Sequence, residues 1–94
     1  MTKIEFVIRD GAGLDTEETM RTFFGEKIRP RFFELLEVIT GQHLNVVEVR
    51  TKRWGSGDPS PKIIVSLDGN IDGHTLGFIE RRLRIEYPDQ LKEG

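Results

Sequence analysis

The chain has 94 residues, room for one small core, with 36% hydrophobic and 32% charged side chains, a globular rather than a disordered balance. A net charge of −2 excludes a uniformly basic DNA-binding surface, so any nucleic-acid site is a local patch. The absence of cysteine excludes disulfides, thiolate chemistry and Cys-bearing zinc sites, and favours a reducing cytoplasm.

The first element is KIEFVIR, residues 3–9. Ile4, Phe6 and Ile8 alternate with Lys3, Glu5, Val7 and Arg9, the pattern of a half-buried strand, and DGAG then breaks it. The opening stretch MTKIEFVIRDG carries Glu5 and Asp10 and no long apolar run, unlike a signal peptide. Residues 15–41, DTEETMRTFFGEKIRPRFFELLEVITG, read as helix. Asp15 is the expected N-cap, with Glu18 three residues on as in a capping box, and Glu17 and Glu18 suit the positive end of the helix dipole. Met20, Phe23, Phe24 and Ile28 share one side, and Phe32, Leu35, Leu36 and Ile39 form the next stripe. Pro30 lacks the N–H that a helix interior needs, which predicts a kink there or a second helix starting near it. Gly41 is the expected terminator.

HLNVVEVRTKRW, residues 43–54, is rich in strand formers, and KIIVSLD, residues 62–68, places Ile63, Val65 and Leu67 on one face. GSGDPSP between them predicts a long antiparallel hairpin. After DGNIDG, a final helix, HTLGFIERRLRIEY, is capped by Asp72 and stopped before Pro88. The order β-α-β-β-α predicts an α+β domain. The expected form is a two-layer α/β sandwich with a three-stranded mixed sheet, helices on one face, and the other face, with Val7, Ile64 and Ser66, half polar. No stretch approaches the ~20 apolar residues of a membrane span, and one domain is expected over residues 1–94.

The motifs that carry chemistry are incomplete. GAGLDT lacks the third glycine of a dinucleotide fingerprint, because Thr16 stands there, and Asp15, Glu17 and Glu18 would repel phosphate. Asp68, Asn70, Asp72 and Gly73 match the opening of a calcium loop, but Ile79 stands where the closing glutamate belongs. The same residues serve a turn and a helix cap, so Asp68, Asn70 and Asp72 are a weak metal candidate. His43 begins a strand and His74 a helix, without metal-ligand spacing. Ser56 lacks the G-x-S-x-G of a nucleophile elbow. No catalytic constellation and no cofactor are expected. Neither the GXXG loop of a KH domain nor the aromatic signature of an RRM is present.

Two features remain. Arg50, Lys52, Arg53, Trp54 and Lys62 gather cations and an aromatic at the hairpin, a composition suited to single-stranded RNA. In the last helix, Leu76, Ile79, Leu83 and Tyr87 share one face, while Phe78 and Ile85 lie nearly opposite. Six phenylalanines are more than a one-sided, three-stranded core readily absorbs. Phe78 and Ile85, with Phe33, Arg81 and Arg82, are therefore expected to meet a protein partner. The reading is a non-enzymatic assembly module, a homo-oligomer or the subunit of a complex, with RNA binding through residues 50–62 as the alternative.

Overall fold

The computed structural model describes residues 1–52 and 61–92. It has strands β1 (Thr2–Val7), β2 (Val46–Lys52) and β3 (Lys62–Leu67), and helices α1 (Glu17–Phe23), α2 (Arg29–Thr40) and α3 (Gly73–Glu86). The chain is an α+β protein. The strand order is β1-β3-β2, and both ladders are antiparallel. β1 and β2 run in the same direction but never touch, because β3 lies between them. The expected mixed sheet is thus corrected to a purely antiparallel one: β2 and β3 are the arms of a hairpin, and the helical connection from β1 to β2 is long enough to step over the returning strand. Trp54 and Arg53, read as the hairpin tip, lie outside the described residues.

The sheet buries one side. Across it run the rows Ile4–Val65–Val49 and Phe6–Ile63–Thr51, and Ile4, Phe6, Ile63, Val65 and Leu67 join the helices in a single core cluster. The register shifts between Val46 and Glu48. Val47 is the extra residue of this bulge, so Val46 and Val49, three apart rather than two, both pack against the core. The strand begins at Val46, not at His43, which stands exposed in the connection after α2. Beyond β1, Leu91 bridges to Ile8, the Arg9 N–H donates to the Gln90 carbonyl at 2.8 Å, and the Lys92 N–H donates to the Val7 carbonyl at 2.9 Å.

The N-cap of α1 is Thr16, which corrects the expectation of Asp15. Thr16 Oγ1 accepts from the Thr19 N–H at 3.1 Å, and Thr19 Oγ1 accepts from the Thr16 N–H at 3.1 Å. The box is therefore closed by a threonine rather than by Glu18. Between α1 and α2 the backbone widens into a π-turn, Phe24–Ile28, where the Arg29 N–H reaches the Phe24 carbonyl. Pro30 follows at the start of α2, where its missing N–H and its ring are accommodated by the relaxed preceding turn. The π-turn also explains how the phenylalanines are absorbed. Met20, Phe24, Ile28, Phe32 and Leu36 are all buried at four-residue steps, which in an ideal helix drift by about 40° each. The wider turn takes up part of that drift and keeps the stripe on the core. Phe6, Phe23, Phe24 and Phe32 are buried, and Phe33 packs edge-on against Phe32 at 5.4 Å. Gly41 ends α2 at φ 72°, a conformation that favours glycine, with its N–H donating to Glu37 at 2.8 Å. Asp72 caps α3 as expected.

The cap assignment is testable by denaturant unfolding. Thr16→Ala lowers stability by about 1 kcal/mol, whereas Asp15→Ala stays within about 0.5 kcal/mol of wild type. The reverse order would restore Asp15 as the cap.

Candidate functional site

α2 and α3 lie side by side and antiparallel. α2 ends just before β2, α3 starts just after β3, and Val46 pairs with Leu67, so these two helix ends share one end of the sheet. At the other end Arg31 of α2 grips Glu86 of α3: its Nε donates to Oε1 at 2.8 Å and its Nη2 to Oε2 at 2.9 Å. Arg31 also pairs with Glu34, and Arg82 Nε donates to Glu86 Oε2 at 2.9 Å. Hydrogen bonds from Arg31 hold the Glu86 carboxyl below its ordinary pKa, and the same contacts hold the guanidinium charged. A two-pronged arginine fork fixes orientation as well as distance, so this cluster sets the register of α2 on α3.

The core takes Ile79 and Leu83 from α3 and Phe32 and Leu36 from α2. What remains outside is apolar to an unusual degree: Phe78 is 50% exposed, Ile85 69%, Val38 79% and Ile39 42%. Arg81 and Arg82 stand three and four residues after Phe78, and four and three before Ile85, so all four share one side of α3. The expected exposure of Phe78 and Ile85 is therefore seen. Phe33, grouped with them in sequence, is placed apart: it packs against the core and lines a cleft with Leu44 and Asn45. Ile39, expected in the core stripe, is instead partly exposed. Val38 is a surface residue that the stripes alone do not name; its place two residues past Leu36 puts it off the buried side.

The basic hairpin residues are only partly gathered. Arg50, Lys52 and Lys62 share the open face of the sheet, where Lys52 stands opposite Lys62 and Arg50 opposite Ile64. Glu48 pairs with Arg50, and Glu5 lies 4.0 Å from Lys62, so carboxylates divide the cations. Arg53 and Trp54 lie outside the described residues. Arg21, on α1, donates from Nη2 to the Val49 carbonyl at the edge of β2, 2.9 Å away.

The loop 68–72 is a structural knot. Asp68 accepts from the Asn45 N–H at 2.8 Å and Nδ2 at 3.2 Å, and Asn70 Oδ1 accepts from the Met1 amine at 3.0 Å. Asp72 Oδ1 accepts from the His74 and Thr75 N–H groups, and Oδ2 from the Thr75 hydroxyl at 2.6 Å. Thr2 Oγ1 closes the loop, donating to the Gly69 carbonyl and accepting from the Ile71 N–H. The weak metal candidates Asp68, Asn70 and Asp72 thus turn to three different partners. Among the described residues no group of three His, Cys, Asp or Glu side chains converges on a metal position.

A cleft of about 240 Å³ beside β1 is lined by Glu5, Glu80, Arg84 and Lys92 among others. Burial there raises the Glu80 carboxyl above its usual value, with Arg84 opposing. No helix among the described residues is long and apolar enough to cross a membrane. No family model matches the chain, and neither a curated protein nor a solved structure matches it.

Hydrogen bonds from Asn45 lower the Asp68 pKa, and those from Thr75 lower that of Asp72. Folding thus favours both ionised forms. Their stabilisation is complete above the unfolded carboxylate range and disappears as pH falls through the lower folded values. In thermal melts, stability is expected to hold down to about pH 5 and to fall below about pH 4. Asp72→Asn shows a smaller acid loss than wild type; an identical acid loss would remove Asp72 from this account.

Proposed function

We propose that the chain is a protein-interaction or assembly module, not an enzyme, which associates through the outer surface of α2 and α3. The helices form the second layer of a two-layer α/β domain of β-α-β-β-α order, and that layer is apolar on both sides. The supporting observation is the exposure of Phe78 and Ile85 on α3 and of Val38 on the neighbouring α2. Each fully buried side chain of this size contributes roughly 1.5–3 kcal/mol relative to exposure, a gain the isolated chain realises only in part. Arg81 and Arg82 stand between the two α3 anchors, giving the mixture of apolar anchors and arginine that interfaces favour.

Phe78→Asp and Ile85→Asp test this reading. Both variants stay folded, with a cooperative melt and the wild-type circular dichroism spectrum, and elute earlier from a hydrophobic-interaction column. Loss of the fold in either would show a core residue and end the proposal.

As a second reading we propose single-stranded RNA binding on the open sheet face, supported by the register that gathers Arg50, Lys52 and Lys62 there. Arg53 and Trp54 extend this set along the sequence. Binding through phosphate contacts falls steeply as salt rises, and Arg50→Ala with Lys52→Ala reduces the slope. Failure to bind a labelled single strand at low salt rejects it.

A further inference from the structure

We infer that the partner of the α2–α3 surface is a second copy of this chain, seated so that α2 of each copy lies across α3 of the other. This rests on the association reading above and names its occupant. Its geometry follows from the Arg31–Glu86 fork, from which the two helices run antiparallel. At a rise of 1.5 Å per residue, Val38 stands about 10 Å along α2 from Arg31, and Phe78 about 12 Å along α3 from Glu86. Over the same span, Glu34 and Glu37 stand at about 4–9 Å, and Arg81 and Arg82 at about 6–8 Å. Within one chain, then, Val38 is level with Phe78, and Glu34 and Glu37 are level with Arg81 and Arg82, while Ile85 stands beside the fork itself, about 1.5 Å along α3 from Glu86.

A two-fold axis parallel to the helices, over the groove between them, keeps every residue at its level and exchanges left for right. It lays Val38 of one copy toward Phe78 of the other, and Glu34 and Glu37 toward Arg81 and Arg82. Each contact is made twice, as a closed two-fold pair requires. Stacking α3 on its own copy does the opposite. An antiparallel α3 pair that matches Phe78 with Ile85 is centred between residues 81 and 82, and a parallel pair matches every residue with itself. In both, Arg81 and Arg82 meet their own charges, which costs affinity.

The charges left over within one chain agree with this. Arg81 donates from Nε to the Gly77 carbonyl at 3.4 Å and pairs with no carboxylate among the described residues. Glu37 has His43 Nε2 at 3.7 Å and no Lys or Arg partner among the described residues. A purely acidic partner satisfies Arg81 but repels Glu37; a second copy satisfies both.

Because the natural chain has no cysteine, engineered cysteines give an unambiguous cross-linking readout. Wild type is expected to scatter light as a dimer. Val38→Cys in one chain, mixed with Phe78→Cys in a chain of different tag length, gives the mixed disulfide faster than either variant joins itself. Arg81→Glu weakens the dimer about tenfold, and adding Glu37→Arg to it restores affinity. A monomer at about 1 mM overturns the second copy as partner, while the exposed surface itself remains for another chain. A dimer in which Arg81→Cys joins itself faster than the mixed pair forms overturns the arrangement but not self-association.

Discussion

Ile63, Val65 and Leu67 occupy a strand with a paired neighbour on each side, and their side chains all leave one face of it. In this three-stranded sheet, this row and its flanks, Ile4 and Phe6 on one side and Val46 and Val49 on the other, supply the apolar face turned to the helices. The helices must cover it or the fold has no core. Their placement follows: Met20, Phe24, Ile28, Phe32 and Leu36 come from one continuous helical run, and Ile79 and Leu83 from the last helix. A sheet this narrow has room for two helical stripes and no third. The second apolar side of α3, and Val38 on α2, are left over by geometry.

That surplus gives the molecule two unlike surfaces. The open sheet face carries Lys3, Glu5, Glu48, Arg50, Lys52 and Lys62 in mixed sign around a buried Ile64, and water covers the charged groups at little cost. The helical surface carries Phe78, Ile85, Val38 and Ile39, whose exposure water disfavours. The Arg31–Glu86 fork makes the second surface a fixed shape, since it holds both contributing helices in register. Charge here organises the position of apolar groups; as a pair still reached by solvent it adds modest stability of its own.

Much of the fold was legible in the sequence, because period and punctuation are local. The alternation of Ile4, Phe6 and Ile8, the Asp72 cap and the Gly41 stop all hold in the structure. The misses are those that local pattern cannot resolve. Asp15 and Thr16 are both good caps, and the choice fell to the reciprocal bond with Thr19. The insertion of β3 between β1 and β2 depends on long-range pairing that no periodicity encodes. The π-turn had its sign in Pro30, but its effect, turning Phe32 and Leu36 back onto the core, depends on the whole helix. For the candidate surface, the two-sided pattern of Phe78 and Ile85 was readable from helical spacing. Arg31 and Glu86, 55 residues apart, gave no sequence signal of their pairing, and a four-aromatic helix made Phe33 look like surface when packing against Phe32 draws it inward.

The two sheet edges carry a consequence of their own. At β1, the backbone groups of Val7 and Arg9 already bond to the segment 90–92, and at β2 the Val49 carbonyl is taken by Arg21. An edge occupied in this way is a poor template for a foreign strand. Sheet-to-sheet addition has no natural end, since each added molecule offers a new edge, and it is the route to fibres. Contact through side chains on a single helical surface ends once that surface is covered. The edges are therefore interrupted against open-ended growth by strand addition, through backbone bonds that lie away from the helical surface.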